Sequence, residues 1–266
     1  MVHMTSQPTV RSGDKPWPND DRRLCLAADI EQYSRFDTPD QRAAQAQLAR
    51  VLRAAAERSG LDHGTWSVQP QGDMEFAVLP AGTSEQVVLG EYVTHLAAEL
   101  GGYNATRRPA GRMRLRLAID TGVAATAALG FSGPAPIAVA RYLNAPEVKR
   151  ALAAAGSASL AMVISDRLYQ DVVRSGFHGH DPEQYRRIHV EQKGFAGYGW
   201  VRLPGVDPQD AEEPWPDAPG GGPRPPARAA EAERPSFVQQ GVHGTAVQGV
   251  IHGAVVHGVV PGGAGR

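Results

Sequence analysis

Cysteine is nearly absent from this 266-residue chain: Cys25 stands alone. One thiol cannot form an internal disulfide, and such usage fits a reducing compartment. Within its apolar run, Cys25 is expected to be packed and inert rather than nucleophilic. Charge of one sign is not in surplus either. Twenty-seven Lys and Arg against 28 Asp and Glu leave a net charge of −1, which removes any global argument for a nucleic-acid or anionic-membrane partner. Aromatics make up only 6%, and no aromatic-rich strand of the RNA-binding type is present. No run reaches the ~20 apolar residues of a membrane helix. Residues 1–21 are polar, hold Pro8, Pro16 and Pro18, and lack the apolar stretch of a secretory signal. The expectation is a cytoplasmic protein without membrane or nucleic-acid partners.

What is present falls into four zones. Residues 1–21 read as a disordered arm, and 22–204 carry the alternating apolar patterns of a folded domain. Residues 205–234, including Pro219-Gly220-Gly221-Gly222-Pro223-Arg224-Pro225-Pro226, read as a linker with too little apolar surface to order itself. A Val/Gly/His-rich tail, 235–266, follows.

Within the domain, Leu24–Ile30 reads as a strand. Thr38 with Gln41 suggests a capping box opening a helix through Arg58. Trp66–Val68 and Met74–Leu79 flank Gln69-Pro70-Gln71-Gly72-Asp73 as a hairpin. Ser84 caps a second helix, to about Leu100. Residues 112–119 alternate with period two, as a strand with one covered face should. Ala138–Ala155 reads as one helix, Leu160–Ile164 and Ser165–Arg174 as a strand and short helix, and Arg187–Val190 with Gly199–Val201 as a final strand pair. This order predicts an α+β fold: a ferredoxin-like βαββαβ sandwich, helices on one face, with a C-terminal α-β extension.

Two acids stand out. Asp29 ends the first strand and Asp73 lies in the hairpin turn, 44 positions later. A strand end and a hairpin turn can converge on one divalent cation, and hard cations take carboxylates, waters and substrate phosphates. Singly, Asp29 is equally a strand-end cap and Asp73 a turn residue.

Together with their surroundings these residues resemble the class III nucleotidyl cyclases, the adenylyl and guanylyl cyclase catalytic domain, over about residues 22–203. The matching motifs are Asp29-Ile30-Glu31-Gln32-Tyr33-Ser34, Gly72-Asp73, Arg116-Leu117-Ala118-Ile119-Asp120-Thr121-Gly122-Val123, the helix entry from Gly133 to Leu143, and Lys193-Gly194. The resemblance implies that Asp29 and Asp73 bind two Mg²⁺ or Mn²⁺ ions. It gives Arg141 the α-phosphate and Lys193 the terminal phosphates of a nucleoside triphosphate, and it puts cofactor- and base-binding positions at Ile30, Gln69 and Gly130. It also implies a head-to-tail homodimer in which carboxylates and cationic residues come from different protomers.

The chain departs from that pattern where chemistry is most demanding. Ile137 replaces a transition-state asparagine, Gly130 a base-selecting Asp, and Gln69 a base-selecting Lys. Losing one donor to an accumulating charge costs roughly 10²–10³ in rate. A slow cyclase and a silent relative both fit, in bacterial signalling or defence, where pyrimidine cyclases of antiphage systems have altered base pockets. Arg141 also reads as a surface residue or ion-pair partner, Lys193 as a solvated turn lysine, and Gln69 first of all as a polar hairpin residue. Asp120 is either pocket-facing or bonded to the loop after it. His178 and His180 read as part of a polar loop.

The tail repeats with period nine: Val238-Gln239-Gln240-Gly241-Val242-His243-Gly244, Val247-Gln248-Gly249-Val250-Ile251-His252-Gly253, and Val256-His257-Gly258-Val259-Val260. Such β-branched, uncharged segments gain stability by stacking on copies, and this one resembles bacterial amyloid-signalling motifs. A flexible tail, or a loose His243, His252, His257 metal cluster, is the alternative. The second functional reading is therefore a pseudo-cyclase adaptor whose residues 236–260 recruit an effector protein.

Overall fold

The computed structural model describes residues 22–176 and 179–206, and the backbone of Val247–Ile251 and Ala254–Gly258. The expected N-terminal arm, nearly all of the expected linker, and His178, His243 and His252 lie outside the described residues. The chain divides into two units, Met1–Arg224 and Pro225–Arg266.

In the first unit the order is β1 (Arg22–Ile30), α1 (Thr38–Arg58), β2 (Ser67–Gln71), β3 (Met74–Val78), α2 (Glu85–Val87), a π turn (Val88–Tyr92), α3 (Val93–Ala105) and β4 (Leu115–Val123). There follow a small hairpin, β5 (Ala125–Ala127) and β6 (Gly130–Ser132), then α4 (Pro134–Leu143), α5 (Pro146–Ala154), β7 (Leu160–Ser165), α6 (Asp166–Leu168), a second π turn (Tyr169–Val173), β8 (Arg186–Gln192) and β9 (Phe195–Arg202). Seven strands form one sheet in the order β2-β3-β1-β4-β7-β9-β8. All pairings are antiparallel except β4 with β7. The order of the first four strands is the one expected of a βαββαβ unit, and the α-β extension is added beyond β4.

Helices cover both faces, not one. Because side chains alternate along a strand, Leu24, Leu26, Ala28 and Ile30 of β1 join a core with Leu48 and Leu52 of α1 and Leu96 of α3. Cys25 and Ala27 face the other way, against Ala138 and Val139 of α4 and Leu152 of α5. The second face was hard to read because Ala27, Ala118 and Ala161 make much of it; small side chains give a weak apolar signal yet let a helix pack closely. Each fully buried Leu or Ile contributes roughly 1.5–3 kcal/mol.

Local chemistry shifts other boundaries. Asp37, not Thr38, caps α1: it is extended (φ −72°, ψ 172°) and accepts the Asp40 N–H at 2.9 Å, and Asp competes well as a cap. Gln41 donates to the Phe36 carbonyl rather than closing a capping box. The expected helix 138–155 is two helices. Pro146 disfavours a helical residue before it, and Ala145 is extended at φ −60°, ψ 132°. Ser84 does cap its helix, accepting from the Val87 N–H. The β2–β3 turn is only Gly72-Asp73, with Gly72 at φ +64°, the first-position glycine of a tight two-residue hairpin.

In the second unit, β10 (Val247–Ile251) and β11 (Ala254–Gly258) pair antiparallel, Gln248 opposite His257 and Val250 opposite Val255.

Candidate functional site

Asp29 and Asp73 meet at the Ile30 end of β1. The register sets Asp29 opposite Met74 of β3, the residue after Asp73. The Ile30 N–H donates to the Asp73 carbonyl at 3.1 Å, which binds the hairpin turn to the strand end. The two carboxylates share a field: burial chiefly raises the Asp29 pKa, and the Asp73 charge raises it further. Ile30 itself is buried in the first core layer, so a ligand can meet only its backbone.

Arg116 holds Asp29. The two residues face each other across β1 and β4, and Arg116 Nη2 donates to Asp29 Oδ1. Their side chains are only 11% and 15% exposed, so the pair is largely withdrawn from water. Arg116 and, more weakly, Lys149 of α5 lower the Asp29 pKa against the burial effect. The next arginine on that face, Arg114, is committed elsewhere. It donates to the carbonyls of Leu152, Ala155 and Ala158 and pairs with Glu31 at 3.3 Å, closing the C-terminal end of α5.

Neither the hold of Arg116 on Asp29 nor the influence of Lys149 is expected from the motif in which Arg116 stands. A signal was there. Arg112, Arg114 and Arg116 alternate with Met113, Leu115 and Leu117, and a strand covered on both faces must supply counter-charges for such arginines.

Gln69 and Gly130 lie against each other. Gln69 sits opposite Phe76 on β3 and its amide Nε2 donates to the Leu129 carbonyl at 3.4 Å. A Cβ on Gly130 (φ +123°) would lie 2.9 Å from both Gln69 Cδ and Nε2. The β5–β6 hairpin was not foreseen. It is held over β3 by the Phe76–Phe131 ring contact, 5.7 Å between centroids, and carries Leu129, 94% exposed.

Arg141 stands in the last turn of α4, where a cation complements the helix dipole. It is half-buried, and its Nε is buried without a hydrogen-bond partner. Ile137, one turn earlier on the same stripe, is 50% exposed. Lys193 sits in the β8–β9 turn with Gly194, both at positive φ (48° and 77°). The tip of that hairpin reaches α4: Gln192 Nε2 donates to the Asn144 carbonyl at 3.4 Å, and the Tyr142 and Phe195 rings meet at 5.3 Å. Arg141 and Lys193 thus belong to one end of α4. Among the described residues, no hydrogen bond or ion pair joins either to Asp29 or Asp73.

Asp120 lies opposite Cys25 on the α4 side of the sheet, where its charge acts on Tyr142 in the last turn of that helix. Its carboxylate accepts the Thr121 N–H at 2.8 Å and a bond from the Ser165 hydroxyl. Both partners are strand residues, Thr121 of β4 and Ser165 of β7, not the loop that follows. Cys25, opposite Asp120, is packed in the core as expected, and burial pushes its thiol pKa up to about 12. His180 packs beside Gly90.

No family model and no curated protein matches this chain. Among solved structures it is similar to an adenylate/guanylate cyclase/hydrolase from Silicibacter pomeroyi, at 18% identity and a TM-score of 0.48, over 70% of this chain and 99% of that one. The guanylyl cyclase Cya2 is similar at 13% identity and TM-score 0.48, over 73% and 98%. The guanylate cyclase domain of RhGC from Catenaria anguillulae, solved with GTP, is similar at 18% identity and TM-score 0.42, over 70% and 98%. Among the described residues no helix is long and apolar enough to cross a membrane, and none groups three or more His, Cys, Asp or Glu side chains as a metal cluster. Two carboxylates in one field remain a suitable donor set for a hard cation that takes its other ligands from water and phosphate.

Proposed function

We propose that this chain is a divergent nucleotidyl cyclase that converts a nucleoside triphosphate into a 3′,5′-cyclic nucleotide and pyrophosphate, at sites shared by two copies of the chain. The reading follows the motif resemblance, and the observation that carries it is the meeting of Asp29 and Asp73 through the Ile30–Asp73 hydrogen bond. These two acids would hold Mg²⁺ or Mn²⁺. Bound there, the cations would lower the pKa of the attacking ribose hydroxyl and offset charge on the phosphates. Arg141, with its unpartnered Nε, would take the α-phosphate, and Lys193 the terminal phosphates. Gln69 would read a base edge with its amide. Among the described residues no hydrogen bond or ion pair joins these acids to Arg141 or Lys193, and in the resembled family a second copy completes each site.

The test is to incubate purified protein with Mn²⁺ and each of the four ribonucleoside triphosphates, then look for cyclic product and pyrophosphate. Product with at least one base, lost in Asp73→Ala, is the expected result. Absence of product with all four, the variant behaving like wild type, removes the reading.

A second reading, a signalling adaptor, is favoured by Ile137, which offers no hydrogen bond where the resembled family has a donor, and by the tail. Among the described residues β10 and β11 pair only with each other; a two-stranded hairpin is marginal in water, and strand edges are templates for pairing with another copy. Fibres from a 236–260 peptide, and loss of effector recruitment on deleting 236–266, are expected under this reading. A peptide that never assembles counts against it.

A further inference from the structure

Arg116 does more at Asp29 than an ordinary ion-pair partner. Its guanidinium occupies a carboxylate that the proposed function gives to a cation, and it does so from a mostly buried position. Its Nε is buried and has no hydrogen-bond partner, although an arginine fork ordinarily fills its donors when withdrawn from water. Arg114 cannot take its place, being tied to three carbonyls of the α5 end and to Glu31. The local charge is finely divided: Asp29, Asp73 and Glu31 against Arg116, Arg114 and Lys149. A divalent cation added to that set would sit beside the guanidinium.

We infer that Arg116 is an internal counter-ion that excludes the bare metal from Asp29 and gives the carboxylate up only to a metal that arrives with a phosphate anion. The inference rests on the reading of Asp29 and Asp73 as metal ligands and adds a rule for how they are loaded. Arg116 holds Asp29 Oδ1, so a cation that takes both carboxylate oxygens while entering alone displaces the guanidinium from its bonded counter-charge in a mostly buried position, a costly state for an ion. A cation entering as a polyphosphate complex brings the replacement. Arg116 releases Asp29, and its freed Nη2 and idle Nε together present two parallel donors, the geometry that suits a phosphate. The preferred ligand of this end of the sheet is therefore a metal–polyphosphate complex, not a free divalent ion.

Titration calorimetry on the full chain tests this without turnover, using Mn²⁺ alone and preformed Mn²⁺–pyrophosphate. Wild type is expected to bind the complex at least tenfold more tightly than the bare ion. Arg116→Met is expected to bind bare Mn²⁺ about tenfold more tightly than wild type and to lose the preference for the complex. Should Arg116→Met fail to fold by circular dichroism, Arg116→Gln, which keeps a hydrogen bond to Asp29 without the charge, is read in the same way. A neutral variant that binds bare Mn²⁺ no more tightly than wild type overturns the inference, as does a wild type that takes both ligands equally. Asp73→Asn separates the two levels. If it binds both ligands as wild type does, the metal assignment itself is wrong; if it loses both while the Arg116 variants match wild type, only the counter-ion role falls.

Discussion

The Gln69 side chain stands in the space that Gly130 leaves open, its amide bonded to the Leu129 carbonyl one residue away. The two positions that the family resemblance assigns to base selection are thus neighbours in one chain, and one of them has filled the gap left by the other. Gly130 also needs its φ of +123°, a conformation that side chains with a Cβ rarely adopt.

Gly130→Ala should therefore destabilise by about 1–3 kcal/mol, the usual cost of a strained backbone position, with the collision against Gln69 added. Gln69→Ala removes the collision but not the strain, so the double variant should recover part of the loss. Urea unfolding of the four proteins as a double-mutant cycle measures the coupling. Strict additivity would mean that the two residues do not share this space.

Lys193 has two explanations, and one substitution separates them. Both central residues of the β8–β9 turn have positive φ, which suits a type I′ hairpin and favours Asn-Gly in that place. Lys193→Asn keeps the turn chemistry and removes the charge. Its unfolding midpoint should stay level with wild type or rise slightly, while triphosphate affinity falls by about tenfold, as expected of one lost charge-assisted contact. Unchanged triphosphate binding would leave Lys193 a turn residue only.

The strand order of the βαββαβ unit was legible because each element carried its own signal: the apolar run before Asp29, the Ser84 cap, the glycine of the β2–β3 turn. The second helical layer was not, because Ala27, Ala118 and Ala161 provide a packing surface without a hydrophobic peak. The break before Pro146 is written in the proline itself, which disfavours a helical residue before it. In the site, Asp29 and Asp73 could be chosen from their places at a strand end and a turn. The hold of Arg116 on Asp29 depends on cross-strand register, β1 against β4 over 87 positions, and register between distant strands is not written in local sequence. The β5–β6 hairpin escaped for a different reason: three-residue strands of Ala, Thr, Gly, Phe and Ser are too short for an alternation to show.

Buried Asp120 gives a pH prediction. Burial is the largest influence on it and raises its pKa from the usual 3.8, against the lowering effects of Ser165, the Thr121 N–H, Arg167 and Arg22. A carboxyl whose pKa is higher in the folded than in the unfolded state binds more protons when folded, so its contribution to stability declines as pH rises through that raised value. Asp120→Asn lacks this titration. The unfolding free energy of the variant minus that of wild type should then increase from pH 4 toward pH 7 and level off above the folded pKa. Denaturant melts of both proteins across that range provide the check; a difference that is flat or falls with pH would contradict burial as the dominant influence.

Ile137 offers the sharpest test of the catalytic reading. It is half exposed on the α4 stripe that also carries Arg141, so a polar replacement there opens no cavity and buries no unsatisfied group. Asn is a poorer helix former than Ile by only a few tenths of a kcal/mol, and the melting temperature of Ile137→Asn should stay within about 2 °C of wild type. A side-chain amide at this place restores a donor where, under the proposed function, charge gathers on the phosphorus oxygens, and one such donor is worth roughly 10²–10³ in turnover. The variant should therefore form cyclic nucleotide about a hundredfold faster than wild type, with the triphosphate KM little changed, because the added bond matters in the transition state and not in the ground state. Initial rates of pyrophosphate release at saturating Mn²⁺ decide it. A folded variant no faster than wild type would show that something other than the missing donor at position 137 limits this chain.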